Sequence, residues 1–212
     1  MKWYDFFSSI YDTSLEKLYA KSRERAIELL DLQDEQTIID IACGTGANFK
    51  YIKQKQLNLD IYGTDFSIGM LKKGQATIQK NEWDNITLFQ SDARELTPYF
   101  IKTQLKKELY FDRIICFLGL SVIPDWEQVL GKMLDLLKED GKIVIVDVFA
   151  EQRDFNTWLV EKFAKADLNR EIWQTLEKNT SNFQLEYLPV KESKVGGRIF
   201  AATGTKIQQP SV

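Results

Sequence analysis

Short apolar runs alternate with amphipathic helical segments between residues 37 and 149, and this alternation constrains the fold more than any other feature of the chain. The strand-like runs are residues 37–42, "LDIYGT" (59–64), "ITLFQ" (86–90), "FDRIICFLG" (111–119) and "KIVIVDVF" (142–149). Between them lie "NFKYIKQKQ", "IGMLKKGQATIQK" and "PYFIKTQLKKEL" (98–109), each with helical spacing of apolar residues. Ser67 reads as the N-cap of the second of these. Pro124 reads as the opening of a further helix through Leu137, with Asp140-Gly141 ending it. Strands that alternate with helices pair in parallel through right-handed crossovers, which predicts a doubly wound α/β sheet.

The flanks extend this pattern. Residues 14–31 predict a helix, with Leu15, Leu18, Tyr19, Ile27, Leu29 and Leu30 recurring near helical spacing. Residues 151–179 predict helix again. "FQLEYLPVK" and "GRIFAATGTK" then predict a hairpin turning at Gly196-Gly197, which adds an antiparallel strand. No proline- or serine-rich linker interrupts the 212 residues, so one domain spanning 1–212 is expected.

Composition narrows the chemistry. Histidine is absent, which excludes Ser-His-Asp and Cys-His catalysis. The two cysteines, Cys43 and Cys116, are too few for a disulfide framework or a zinc site of their own. A net charge of -3 weighs against nucleic acid as a partner. No run of 18 apolar residues is present, and the N-terminus reads unlike a signal peptide, so the expected compartment is cytoplasmic.

The stretch "IIDIACGTGAN" (38–48) places a carboxylate, Asp40, inside the first apolar run, just before a glycine loop. In open parallel sheets ligands bind beyond the carboxyl ends of the strands. Gly44 and Gly46 let the backbone turn tightly and approach a ligand. A dinucleotide fingerprint would carry glycine or alanine three residues after Gly46, but Phe49 stands there. A buried Asp40 would also repel a pyrophosphate, whereas it suits an ammonium or sulfonium. Its plain structural alternative is a carboxylate satisfied by loop amides. Asp65 ends the second run and is placed to accept both hydroxyls of a ribose, or else to help the helix capped by Ser67. Asp92 follows the third run and is placed to accept an adenine amino group beside the Ala93 N–H, or else to cap a short helix.

"DIACGTG", "GTDFS" and "SDA" resemble the successive motifs of class I S-adenosylmethionine-dependent methyltransferases, and residues 111–148 resemble their fourth and fifth strand region. The resemblance runs from about residue 37 to 148, and "GRIFAATGTK" is similar to the last hairpin of that fold. It implies a seven-stranded sheet of order 3-2-1-4-5-7-6 with one antiparallel strand. Ala42 departs from the pattern by replacing the first glycine of the loop, and the 98–109 helix is longer than the usual connection. The resemblance implies S-adenosylmethionine as cofactor. Asp40, Ala42, Cys43, Gly44, Thr45 and Gly46 would hold its methionine end. Asp65 would hold the ribose, with Phe66 and Met70 against the adenine or sugar. Asp92 and Ala93 would hold the adenine, and Phe117 and Leu118 would wall the methyl group.

The same resemblance implies methyl transfer by in-line displacement, which needs alignment and a dry site more than a base. "CFLGLS" after the fourth strand lacks the acid-and-proline motif of DNA amino-methylating enzymes and the Pro-Cys of cytosine C5 enzymes, so Cys116 reads as packing. Asp147 alone is not a metal site. The apolar site points to a small-molecule or lipid-like acceptor, with no nucleic acid and no metal. "WYDFFSSIYD" resembles the segment that precedes the sheet in quinone and phospholipid methyltransferases. Residues 1–34 are therefore expected to form a helical lid or extension, with Tyr4 and Tyr11 closing over the donor. Rival readings are transfer of the donor's aminopropyl or aminocarboxypropyl arm, and a nucleoside-binding protein without catalysis. A nicotinamide oxidoreductase is disfavoured, because Tyr51-Lys55 lies away from the expected site and Tyr187-Lys191 spans Pro189. Trp158 and Trp173 are candidates for a peripheral membrane or dimer contact, with buried packing the stronger expectation.

Overall fold

The computed structural model describes residues 17–190 and 195–207. Its centre is a seven-stranded sheet of order β3-β2-β1-β4-β5-β7-β6. The strands are β1 (Thr37–Ile41), β2 (Asp60–Asp65), β3 (Ile86–Gln90), β4 (Phe111–Phe117), β5 (Leu137–Phe149), β6 (Thr180–Tyr187) and β7 (Arg198–Lys206). The first five pair in parallel, and β7 runs antiparallel to both β5 and β6. The strand order and the single reversed strand are those expected.

Every residue of β1 is buried, because it is flanked by β2 and β4 and covered on both faces. Such a strand reads as a continuous apolar run rather than as alternation. One face is covered by helix α1 (residues 17–29 of the described chain), α2 (Phe49–Lys53) and α3 (Ile68–Lys80). The other carries α4 (Pro98–Leu105), α5 (Trp126–Leu136) and α7 (Ile172–Asn179). α5 buries Val129, Leu130, Met133 and Leu136, one stripe at helical spacing. α1 buries Tyr19, Ala26, Ile27 and Leu30. Its C-terminal end is held by Arg113 of β4, whose guanidinium donates to the carbonyls of Leu30 (2.6 Å) and Asp31 (3.0 Å). A cation there meets carbonyls that the helix itself leaves unsatisfied.

Several boundaries differ from the sequence expectation, each for a local reason. α3 spans the predicted residues, and Ser67 caps it by accepting the Met70 N–H at 3.2 Å. α2 is shorter than "NFKYIKQKQ", ending in turns around Gln56, whose φ is 56°. α4 stops at Leu105 because Lys106 adopts a left-handed conformation. Pro124 does not open α5: Asp125 at φ 53° intervenes, and the helix begins at Trp126. That helix ends at Leu136, before Asp140-Gly141. Leu137 already pairs with Phe111, and the register resumes at Arg113–Lys142 after a bulge that absorbs the intervening residues. The 151–179 segment is not one helix but α6 (Phe155–Ala164) and α7, broken where Lys165 turns left-handed.

Candidate functional site

The loop after β1 is built from three left-handed residues: Ala42 (φ 58°), Gly44 (φ 56°) and Gly46 (φ 77°). The Cys43 N–H donates to the Thr64 carbonyl (3.0 Å) and the Gly46 N–H to the Cys43 carbonyl (2.9 Å), so the turn is fastened to β2 and to itself. A Cβ on Gly44 would meet nothing within 4 Å, so that stretch of backbone faces open space. A Cβ on Gly46 would sit 2.4 Å from the Phe49 ring, and one on Gly63 would sit 2.6 Å from the same ring. The bulky Phe49 that breaks the dinucleotide fingerprint therefore lies buried in space that two glycines leave for it. Ala42 holds a conformation costing an L-residue about 1–2 kcal/mol. Its methyl is accommodated by Gly119, where a Cβ would approach Ala42 Cβ to 2.9 Å.

Asp40 is fully buried on the α1 face of the sheet. Its Oδ2 accepts from Asn48 Nδ2 (2.9 Å), and Asn48 Oδ1 in turn accepts from Arg23 Nη1 of α1 (2.6 Å). Its Oδ1 is buried with no hydrogen-bond partner. Burial pushes the Asp40 carboxyl up to about 7, while Asn48 and the Arg23 charge pull it down and Asp65 pushes it up. Leaving a buried polar atom unpaired costs about 1–3 kcal/mol. A carboxylate oxygen in that condition, next to an open loop, is suited to a cationic group supplied by a ligand. The loop amides do not satisfy it, so the plain structural alternative accounts for only half of the carboxylate. Sequence reasoning missed Arg23 and Asn48. Arg23 reads as one of several solvated charges on a helix, and only the fold brings it to Asp40.

Asp65 lies on the same face, two residues along β2 from Gly63, which pairs with Asp40. Its Oδ2 accepts the Gly44 N–H (2.9 Å) and its Oδ1 the Ser67 N–H (2.8 Å). It thus ties the glycine loop to the start of α3, and each oxygen keeps a lone pair for a further donor. Burial raises its carboxyl above the ordinary range, against those backbone N–H bonds. Phe66 follows with its ring 57% exposed, a flat apolar face beside the carboxylate, and Met70 is half-buried on the first turn of α3. Asp92 stands beyond the end of β3 and caps a single 3₁₀ turn by accepting the Arg94 N–H (2.9 Å). The Arg94 guanidinium also grips both of its oxygens (3.0 Å and 2.6 Å) and holds the carboxyl below its usual range. Asp92 is therefore engaged where Asp40 is open. Ala93 and Thr45 are half-buried beside these groups.

The end of β4 forms a wall. Phe117 is buried, edge-on to Tyr19 (centroids 6.0 Å apart), with the Arg23 guanidinium 4.2 Å from its ring centre. Leu118 is left-handed (φ 59°), its N–H held by the Val146 carbonyl at 2.7 Å. On the opposite face Asp147 is buried and accepts the Ser121 N–H at 2.8 Å, fixing the β4–α5 loop. Arg170 donates to the carbonyls of Leu120 and Ile123 in that loop. Among the described residues no group of His, Cys, Asp and Glu could hold a metal ion. Burial pushes both the Cys43 and the Cys116 thiols well above their ordinary range, which suits packing and not nucleophilic attack. Tyr4 and Tyr11 lie outside the described residues.

A 3-2-1-4-5-7-6 sheet with a glycine loop and two carboxylates on one face at the carboxyl ends of β1 and β2 defines the class I methyltransferase fold. The chain belongs to the methyltransferase domain family, whose model matches residues 32–202. It is 29% identical over 133 residues to a demethylmenaquinone methyltransferase of Listeria welshimeri, covering 62% of this chain and 52% of the relative. It is 30% identical over 148 residues to that of Halalkalibacterium halodurans, covering 69% and 56%. The chain thus spans about half the length of these curated relatives. Among solved structures it is similar to Haemonchus contortus phosphoethanolamine N-methyltransferase 2 in complex with S-adenosyl-L-methionine. There the TM-score is 0.71 at 14% identity, over 88% of this chain and 52% of that one.

Proposed function

We propose that this protein transfers a methyl group from S-adenosylmethionine to a small-molecule or lipid-like acceptor by in-line displacement. The observation that carries the reading is Asp40, a fully buried carboxylate whose Oδ1 has no partner at the foot of an open glycine loop. A pyrophosphate would be repelled there, and a cation is attracted.

The remaining groups fit the rest of the donor. Asp65 has lone pairs to accept two adjacent ribose hydroxyls, and the exposed ring of Phe66 offers a stacking face for a base. Asp92 would reach an adenine amino group with the carboxylate that Arg94 now holds. When bound, S-adenosylmethionine supplies a methyl group already activated on positively charged sulfur. The chain's own contribution is alignment and exclusion of water. Arg23, through Asn48, favours the ionised form of Asp40, while Phe117 and Leu118 present an apolar wall beyond β4. No residue is assigned as a base, and the chemistry does not require one.

Relatives that methylate demethylmenaquinone support a lipid-like acceptor. Residues 1–34 serve on this reading as a helical lid or extension, α1 being the part fixed against the sheet and Tyr4 and Tyr11 lying over the donor. Tyr4→Phe and Tyr11→Phe should then weaken donor binding, and unchanged affinity by calorimetry would remove the lid. The reaction itself is tested by incubating the protein with methyl-labelled donor and a cell extract. Label entering the organic phase with release of S-adenosylhomocysteine is the expected result. Methylthioadenosine would mean transfer of the donor's arm, and neither product would mean a binder without catalysis.

A further inference from the structure

The crevice that suits a cation also contains one. Arg23 of α1 is half-buried, and its Nη1 donates to Asn48 Oδ1 at 2.6 Å. Its guanidinium lies 4.2 Å from the centre of the Phe117 ring, and Tyr19, one turn earlier on α1, meets the same ring edge-on. Asp40 pairs with Ile115 of β4, so Phe117 stands two residues further toward the carboxyl edge on the neighbouring strand. Arg23 is therefore held from two sides, by an amide and by a ring, between the buried carboxylate and the wall beyond β4.

Such a charge opposes any ligand that brings positive groups alone. Among the described residues, Arg23 and Asp65 are the charges that act on Asp40. Lys21 and Glu24, the neighbours of Arg23 on α1, are exposed and of opposite sign. The crevice thus holds two carboxylates and one guanidinium. S-adenosylmethionine carries the complement: a sulfonium and an ammonium against one α-carboxylate. Asn48 shows how the amino-acid end fits. Its amide donates to Asp40 through Nδ2 and accepts from Arg23 through Oδ1, so a donor faces the carboxylate and an acceptor faces the guanidinium. An α-amino acid has the same polarity over a similarly short span, with its ammonium for the unpartnered Asp40 Oδ1 and its carboxylate for Arg23. A guanidinium has five N–H groups in a planar fork that matches a carboxylate, and such a bidentate pair displaces weaker partners of the fork.

We propose that Arg23 receives the α-carboxylate of the donor's methionine end while Asp40 Oδ1 receives its α-ammonium, so that the chain selects a donor carrying both charges. This rests on the donor reading above and sharpens it. Aminopropyl transfer uses a donor that has lost this carboxylate, and such a molecule would leave the Arg23 charge beside two cationic groups with no anion between them. Methyl transfer and aminocarboxypropyl transfer both use the intact donor, so the clamp separates the first rival from the proposed reaction. It also gives α1 a part in binding: the helix that covers the sheet carries the group that reads the far end of the donor.

The test is calorimetric titration of the full chain at pH 7.5 with three ligands: S-adenosylmethionine, decarboxylated S-adenosylmethionine, and methylthioadenosine, which lacks the amino-acid end altogether. The parent should bind S-adenosylmethionine about tenfold or more tightly than its decarboxylated form, the worth of one hydrogen-bonded charge pair. Arg23→Gln should reduce that preference to about twofold or less, with methylthioadenosine bound as by the parent. Arg23→Lys keeps the charge without the fork and should fall between the two. The ratio of the two affinities is the decisive quantity, because any effect of Arg23 that passes through Asn48 to Asp40 reaches both amine-bearing ligands alike. Equal binding of the two by the parent overturns the clamp and needs no variant. A variant that weakens both by the same factor confines Arg23 to its action on Asp40 and also overturns it. In either case the donor site stands, whereas a parent that binds methylthioadenosine but not S-adenosylmethionine removes the donor reading and the clamp together.

Discussion

Replacing Asp40 with asparagine should stabilise the free protein and weaken its hold on the donor. Burial lifts this carboxyl from an ordinary 3.8 to about 7. At about 1.4 kcal/mol for each tenfold change in proton affinity, ionised Asp40 costs the fold about 4 kcal/mol above neutral pH. Because the folded-state value is raised, the protonated carboxyl stabilises the fold at low pH. That contribution falls away as pH rises from about 4 to about 7 and is constant beyond. Asparagine keeps the shape, and its carbonyl oxygen still accepts from Asn48. Its Nδ2 takes the place of the unpartnered Oδ1 and is itself buried unpaired, which gives back about 1–2 kcal/mol. The net gain at pH 8 is about 2–3 kcal/mol, or roughly 4–12 °C in melting temperature for a chain of this size. Donor affinity should fall by about thirtyfold or more, the cost of removing one partner from a buried charge pair. Thermal melts at pH 8 and calorimetry with S-adenosylmethionine read the two effects. A variant that melts lower, or binds the donor as tightly as the parent, would refute the assignment of Asp40 as a carboxylate held unsatisfied for a cation.

Three further outcomes follow from the same geometry. Arg23→Gln removes the charge that helps ionise Asp40, so the pH at which donor affinity rises should move upward from about 7, seen as a shifted profile of Kd against pH. Gly46→Ala combines a left-handed φ of 77° with a 2.4 Å approach to Phe49. It should cost about 2–4 kcal/mol by chemical denaturation and abolish donor binding. Ala42→Gly relieves a φ of 58° at the price of a more flexible unfolded chain. It should be stabilising by up to about 1 kcal/mol in the same assay.

The parts of this fold that could be read in advance are those governed by local rules. α3 and its Ser67 cap follow from side-chain spacing and one hydroxyl, and the parallel, doubly wound sheet follows from the alternation of short apolar runs with helices, while its strand order follows only from the family resemblance. The parts that could not be read depend on contacts distant in sequence. Phe49 looks like an obstacle until Gly63 of β2 is seen to vacate the space it fills. Arg23 looks like surface charge until α1 lies across β4, where its guanidinium meets Phe117 and Asn48. Asp125 replaces Pro124 at the start of α5 because a left-handed residue redirects the chain first; aspartate tolerates that conformation better than most residues, but nothing in the local spacing singles out this one among the chain's many aspartates. Trp173 packs against Phe149 (4.7 Å) and Phe200 (4.9 Å) as buried packing would have it, whereas Trp158 faces outward. Both lie in segments with helical spacing, and only the placement of α6 on the Gly196 turn separates them.

The central claim is that the crevice beyond β1 and β2 receives a nucleoside carrying positive charge, not a dinucleotide. Calorimetric titration of the intact protein with S-adenosylmethionine and with NADH, in two buffers of different protonation enthalpy near pH 6.5, tests it most directly. The account predicts saturable binding of S-adenosylmethionine with net release of a proton as Asp40 ionises, and no binding of NADH. Binding of NADH in place of S-adenosylmethionine, or S-adenosylmethionine binding with no proton released, would contradict it.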